Sequence, residues 1–278
     1  MNREALQRVA SLATNTFTEA LRQRFFAFLM LLGVMLALSG ILLRTFNFGT
    51  SELKFLADFG FGGVFLFGSI LAVVMTVQLF FSELESRTAL TLLARPVRRW
   101  EFFIGKFFGI QILLAVFIAV LIGVLGALLA MRSWELGREA LRLGMPEPWF
   151  STHGLLVFAF LQCLRLAIVS ALTLFVCSFA RTFLYAVVVS AMATLACQLQ
   201  GIGDAALAQN KQETLLHLFV ENCGRVIPDL QVFDLGAPLV LQREGLPATV
   251  VLGVIGYGLL YIPVLLLLGI WLFRDREI

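Results

Sequence analysis

Arg165 lies inside an otherwise apolar region, where a charged side chain is not expected. Residues 148–180 carry no acidic or basic side chain except Arg165 and a histidine, and a charge near the centre of a membrane helix costs about 2.5–3.5 kcal/mol on insertion scales. Gln162 falls one helical turn away on the same face. The two side chains could line a polar path or a seam between two copies of the chain. Alternatively, Arg165 pairs with backbone carbonyls or with a polar neighbour such as Gln111 or Gln198.

A second group of chemically active side chains lies in residues 82–106, where charges of both signs surround a short apolar stretch at 89–94. A simple connection between two helices could be much shorter, so we interpret this docking segment as a contact element for a partner protein. The alternative is a solvated loop whose arginines only set membrane topology. The side chains predicted to make the docking contacts are Glu83, Glu85, Arg87, Thr88, Pro96, Arg98, Arg99 and Glu101.

Patterns typical of catalysis and of metal binding do not occur in the sequence. The four cysteines form no CxxC pair and the two histidines lie far apart, which disfavours a disulfide framework and a zinc site. Neither HExxH nor GxSxG is present. We therefore expect no catalytic residue, metal site or cofactor site in this chain, and an intramembrane hydrolase is disfavoured.

The elements that position these residues are membrane-spanning helices. Of the 278 residues, 60% are hydrophobic and 14% are charged, whereas a typical soluble domain carries about 25% charged residues. The charge-free runs approach or exceed the roughly 20 residues that cross a hydrocarbon core, and they lack the alternation of β-barrel strands. The predicted fold is all-α, as a polytopic membrane protein with six spans. The predicted spans are residues 25–43, 60–81, 107–131, 155–179, 183–202 and 249–273.

The segments outside the spans have their own predicted roles. Residues 1–24 have apolar side chains at helical spacing, which predicts an amphipathic helix at the membrane interface; an extension of the first span is the alternative. The connection between spans four and five is a very short turn around Arg181. Residues 204–247 are too apolar for a disordered linker, so we predict short external helices that cap the outer leaflet.

The positive charges predict the orientation, because Lys and Arg in short loops concentrate on the cytoplasmic side. The N-terminal segment, the docking segment, the turn at Arg181 and the C-terminal tail together carry more of these residues than the opposite loops. We therefore assign both termini and the docking segment to the cytoplasm.

Several parts of the chain resemble the ABC-2 type permease family. Within the docking segment, Leu-Leu-Ala-Arg-Pro-Val-Arg-Arg at 92–99 and Gly-Lys at 105–106 are similar to the family's loop before the third span. Asp-Phe-Gly at 58–60, Ile-Pro-Asp at 227–229 and the ending Phe-Arg-Asp-Arg-Glu at 273–277 resemble its NosY-like bacterial subgroup. The resemblance covers nearly the whole chain.

This resemblance implies the membrane subunit of an ATP-driven transporter, an exporter, in a bacterial inner membrane. It implies a coupling helix in the docking segment, a second or homologous permease copy, and a separate ATPase subunit that holds ATP and Mg²⁺. The residues agree, because Gly105-Lys106 has Trp100 and Phe107 where a phosphate-binding loop needs Gly and Ser/Thr. Nucleic acid is not an expected partner, since no long Lys/Arg run occurs.

Two alternatives for the function stay open at the level of sequence. An ion-coupled secondary transporter usually shows paired repeats, broken helices and buried carboxylates, and none of these is visible. A permease-like subunit could instead use ATP hydrolysis for signalling or assembly, which sequence does not separate from transport.

Overall fold

The computed structural model describes residues 3–43, 52–85, 99–143, 149–209, 227–242 and 246–274. Every regular element in these ranges is a helix, so the predicted all-α fold is confirmed. The helices are α1 (Arg3–Leu21), α2 (Arg24–Leu43), α3 (Glu52–Glu85), α4 (Arg99–Leu143), α5 (Thr152–Phe179), α6 (Phe183–Gln209), a 3₁₀ turn (Gln231–Phe233), α7 (Gly236–Leu241) and α8 (Ala248–Arg274).

Five of the described helices, α3, α4, α5, α6 and α8, are long and apolar enough to cross a membrane. A sixth span comes from α1 and α2, which satisfy the same test together and bend by 66° at the break between them. The helix is interrupted at Arg22 and Gln23. Because of this bend, α1 is not a straight extension of the first span.

Helix α4 is much longer than the predicted third span. Its 45 residues extend for about 68 Å at 1.5 Å per residue, more than twice the hydrocarbon thickness. Residues 132–143, which the sequence analysis left outside the spans, therefore continue this helix. Arg132 bonds to Glu52 at the start of α3 and to Glu135 one turn further along α4, and these ion pairs fix the two helices at this end of the bundle.

The centre of the bundle is formed by α3, α4 and α5, which approach closely at small residues. Lipid supplies little hydrophobic drive for helix association, so close packing has to supply the stability. Gly68 of α3 faces Leu166 of α5, where an added Cβ atom would lie 2.6 Å from the leucine Cδ1. Large apolar side chains on α6 and α8, such as Leu184 and Trp271, are exposed, as expected for surfaces that face lipid.

A short hairpin joins α5 to α6, since α5 ends at Phe179 and α6 begins at Phe183. The backbone N–H of Ala180 donates to the carbonyl of Val176, and that of Ala186 donates to Thr182. These bonds satisfy backbone groups at the two helix ends. The two helices therefore run antiparallel, as the short connection predicts.

The described part of the segment predicted as an external cap packs onto the N-terminal parts of α3 and α5. The Ser151 N–H donates to the carbonyl of Val240 at 3.0 Å. Gly236 lies over the rings of Phe61 and Phe158, which are themselves 4.2 Å apart between centroids. Residues 204–209 belong to α6, whereas 210–226 and 243–245 lie outside the described residues.

Replacing Gly154 by alanine is expected to loosen this cap. The added Cβ would overlap the backbone carbonyl of Leu239 in α7, and backbone, unlike a flexible side chain, cannot rotate away. Overpacking of this kind typically costs about 1–3 kcal/mol. The measurement is thermal unfolding of the detergent-purified chain. Gly253→Ala is the matched control, because no atom lies within 4 Å of an added Cβ there; equal melting temperatures for the two variants would refute the contact.

Candidate functional site

The buried polar cluster around Arg165 lies near the middle of α5. The Arg165 side chain is only 2% exposed, and its Nη2 donates to the Oε1 of Gln198 on α6 at 2.8 Å. Its Cζ lies 3.6 Å from the ring centroid of Phe65 on α3, a cation–π contact. Of the two polar neighbours proposed as partners, Gln198 therefore binds Arg165, whereas Gln111 donates to Ser170.

Gln162 belongs to the same cluster but makes no hydrogen bond. It is 1% exposed, and both its Oε1 and its Nε2 lack a partner, as does the Nε of Arg165. An unsatisfied buried polar group typically costs about 1–3 kcal/mol. Because neither Gln162 nor Arg165 reaches the surface of this chain, lining a path or a seam would need another arrangement of the helices, and that role stays a prediction.

Hydrogen bonds extend the cluster toward the cap. Gln231 donates from Nε2 to the backbone carbonyl of Gln198 at 2.8 Å, and its own N–H donates to Asp229 Oδ1. The Asp229 N–H in turn donates to the Tyr257 hydroxyl on α8. This chain of bonds connects α5, α6, α8 and the cap. Within the described residues no group of three or more His, Cys, Asp or Glu is placed to hold a metal ion.

The helix ends that flank the docking segment form the second candidate site, and phenylalanine rings hold them together. Phe80 of α3, Phe102 and Phe103 of α4 and Phe273 of α8 contact one another with centroids 5.7–6.4 Å apart. Aromatic pairs in such tilted, edge-on and stacked arrangements are stabilising beyond the area they bury. The rings therefore join the ends of three helices, α3, α4 and α8.

The predicted docking residues are placed as follows. Glu83 and Glu85 belong to the last turn of α3 and Arg99 begins α4, but their side chains are outside the described set, as are Arg87, Thr88, Pro96 and Arg98 altogether. Only Glu101 has a described side chain. The structure thus brings the two ends of the docking segment together, and the docking contacts themselves stay a prediction.

Glu101, which the sequence predicts as a docking contact, is buried and paired within this chain. Its side chain is 1% exposed, and its two carboxylate oxygens accept from Arg8 Nε at 3.1 Å and Arg8 Nη2 at 2.9 Å. Such a bidentate, charge-assisted pair is among the stronger side-chain interactions in proteins. Glu101 therefore binds α4 to the N-terminal helix instead of presenting a free carboxylate to a partner.

Helix α1 packs against the small-residue face of α4, which Gly105 and Gly109 form. A Cβ atom added at Gly105 would lie 2.7 Å from the Leu12 Cβ, and one at Gly109 would lie 2.6 Å from the Thr16 Cβ and 2.8 Å from the Ala13 carbonyl oxygen. Helix α4 thus covers the face of α1 that holds Leu12, Ala13 and Thr16. The predicted place of residues 1–24 at the membrane interface stays a prediction.

Helix α1 also touches both ends of the docking segment. Arg8 binds Glu101 just after the segment's apolar stretch, and the hydroxyl of Ser82, near the end of α3, donates to Glu19 at 3.3 Å. Nearby, the fully buried Lys106 donates to the Leu79 carbonyl at 2.8 Å and so joins α4 to α3. The helix ends, the phenylalanine cluster and α1 together form what we call the transmission unit.

A family model of ABC-2 family transporter proteins matches residues 2–278, nearly the whole chain. The chain belongs to the ABC-2 family. The resemblance inferred from the docking segment is therefore confirmed at the level of the family. None of the curated proteins matches the chain significantly.

Sequence reasoning missed several residues that join the helix ends of this ABC-2 protein. Arg8 and Glu101 are 93 positions apart, and nothing in either local pattern indicates that they pair. The burial of Lys106 was only weakly indicated by the sequence. A lysine at the start of an apolar run can either extend to the membrane interface or be buried, and the sequence does not separate the two. The Gly105 and Gly109 spacing gave a stronger signal, since small residues one turn apart are typical of close helix contacts.

Proposed function

We propose that this ABC-2 protein is the permease subunit of an ATP-driven exporter in a bacterial inner membrane, with ATP hydrolysed by a separate subunit. The observation that carries the proposal is the transmission unit around the docking segment. A loop that only connected two spans would not need helix ends clamped by Glu101, Lys106 and four phenylalanine rings.

In this proposal the docking segment and both termini face the cytoplasm, where ATP is available. The excess of positive charge in the docking segment and the N-terminal segment supports this orientation. The apolar stretch at 89–94 inserts into a groove of the ATPase, and Glu83, Glu85, Arg87, Arg98 and Arg99 supply the charged contacts around it. Two copies of the permease, or this chain and a homologue, share an ATPase dimer.

The mechanism follows from the rigidity of the transmission unit. Closure of the ATPase dimer on ATP displaces the docking segment, and the displacement passes directly to the adjoining ends of α3 and α4. Phe103 contacts Phe273, so α8 moves with α4. Because Arg8 binds Glu101, α1 follows as well. Movement of these helices opens and closes a path between the two permease copies, with the energy supplied as differential binding of the ATPase to the two arrangements.

Charge reversal at both Arg98 and Arg99 is expected to uncouple ATP hydrolysis from movement of the helices, because these cations would then repel the surface they normally contact. The readout is the ATP-dependent change in distance between spin labels at the exposed Leu184 positions of two copies. We expect the double variant to co-purify with the ATPase and to lose most of the distance change.

The matched control is charge reversal at Arg138 and Arg142, two exposed arginines at the opposite end of α4. This control is expected to keep the full distance change. An undiminished change in the Arg98→Glu, Arg99→Glu variant would refute the docking contact. Failure of the unmodified chain to co-purify with any ATPase would refute the proposed function itself.

A further inference from the structure

We infer that Arg165 and Gln162 bind the oxyanion group, a phosphate or a carboxylate, of an amphiphile that enters from the lipid. This inference deepens the proposed function by naming the substrate class, and its meaning for transport rests on that function. The binding itself depends only on this chain. The observation behind it is a set of buried hydrogen-bonding atoms that have no partner.

The guanidinium of Arg165 is held in one orientation with part of its edge unused. The Phe65 ring covers it at 3.6 Å, and Gln198 accepts from Nη2 at 2.8 Å. The Nε–H is buried and makes no hydrogen bond. A guanidinium has a planar fork of donors that matches the oxygens of a carboxylate or phosphate, so the unused Nε–H is suited to such a group.

Gln162 provides further donors on the same face of α5. It lies three residues before Arg165, so the two side chains are neighbours on the surface of α5. Its amide is 1% exposed, and neither the oxygen nor the nitrogen has a partner. Native proteins rarely leave buried polar groups unsatisfied, and such groups need an explanation. An oxyanion that accepts from Gln162 Nε2 and Arg165 Nε would satisfy both nitrogens.

The charge balance also favours an anion. No carboxylate of the described residues forms an ion pair with Arg165, although Asp234 and Asp229 stabilise its charge from a greater distance. Arg165 lies 13 residues from the start of α5 at Thr152, or about 20 Å along the helix. A buried charge at such a depth is expected to be paired, and a bound oxyanion would supply the direct ion pair that the described carboxylates do not form.

The surroundings favour an amphiphile over a free anion. The Phe65 ring covers the guanidinium, and Phe158, one helical turn before Gln162 on α5, packs on Phe61, so aromatic rings lie near the proposed site. Gln198 lies on α6, and most of the membrane-spanning part of this helix is not covered by the rest of the chain. Displacement of this weakly covered helix would open the cluster toward the lipid, from which an amphiphile can enter with its tail still in an apolar medium.

The test is binding to the full detergent-purified chain, measured by native mass spectrometry and by thermal shift. The probes are oleate, oleoyl lysophosphatidate, methyl oleate and inorganic phosphate. We expect oleate or lysophosphatidate to bind and methyl oleate to bind at least tenfold more weakly. Arg165→Gln and Arg165→Lys should each weaken binding at least tenfold, since glutamine removes the charge and lysine removes the fork. Gln162→Leu should weaken it several-fold.

Arg142→Gln is the matched control, because it removes an exposed arginine far from the cluster and should leave binding unchanged. Equal binding by Arg165→Lys, Gln162→Leu and the unmodified chain would overturn the inference, as would equal binding of oleate and methyl oleate. Tight binding of inorganic phosphate at Arg165 would overturn the amphiphile as ligand and assign a free anion. No ATPase takes part, so failure here is distinct from failure of the proposed function.

Discussion

Gly109→Leu is expected to abolish the ATP-dependent movement proposed for this ABC-2 protein while leaving the chain in the membrane. An added Cβ alone would lie 2.6 Å from the Thr16 Cβ and 2.8 Å from the Ala13 carbonyl oxygen, so a leucine side chain has no room unless α1 leaves α4. The apolar spans that direct insertion would be unchanged. The loss should therefore fall on coupling and not on topology.

The measurement combines membrane insertion, co-purification of the ATPase and the ATP-dependent distance change between spin labels at Leu184. Gly123→Leu is the matched control on the same helix, because an added Cβ there meets no atom within 4 Å. We expect Gly109→Leu to insert into the membrane but to lose most of the distance change, and Gly123→Leu to keep it. Indistinguishable behaviour of the two variants would show that α1 has no part in transmission.

Arg8→Glu is expected to cause the second-largest loss of stability and of the proposed movement. Adding Glu101→Arg in the same chain should restore most of that loss. Both oxygens of the buried Glu101 accept from Arg8, so Arg8→Glu places two carboxylates together in a poorly hydrated site. Hydrogen bonds to charged groups typically contribute about 1.5–3 kcal/mol. Arg8 is 34% exposed, and solvent screening reduces the contribution toward about 1 kcal/mol.

A double-mutant cycle of Arg8→Glu and Glu101→Arg separates the pair from the effects of the single changes. We expect a coupling energy of about 1–2 kcal/mol in thermal unfolding, together with recovery of ATP-dependent movement in the swapped pair. Arg22→Glu reverses an exposed charge at the break between α1 and α2 and is expected to cause little change. Additive effects in the cycle would mean that the ion pair does not hold α1 on α4.

The spans could be predicted from the sequence because the apolar character of a span is a local property. A helix in lipid must satisfy its backbone internally and present apolar side chains along about 20 consecutive residues. Each span meets this requirement by its own composition, so each can be recognised without knowledge of the others. The bounds were less accurate, since α4 continues to Leu143. Beyond the lipid, ion pairs such as that of Arg132 with Glu52 support the helix, and these depend on a distant residue.

The partners of the charged residues were decided by the tertiary structure alone. Gln111 and Gln198 are equally plausible partners for Arg165 from the sequence, and the choice depends on the depth and rotation at which α4 and α6 meet α5. The same holds for Glu101. Its position in the chain predicts a contact with an ATPase, whereas the packing of α1 pairs it with Arg8. The unsatisfied amide of Gln162 is likewise a result of packing.

The sequence by itself therefore determined an all-α polytopic membrane protein, its apolar spans and the segment that identifies the ABC-2 family. Only the tertiary structure decided that α1 is clamped to α4 through Glu101, Gly105 and Gly109, and that Arg165 and Gln162 are enclosed with unused hydrogen-bonding atoms. The physical reason is that insertion depends on the apolar character of each segment. Which side chains meet depends instead on close packing between helices that are far apart in the chain.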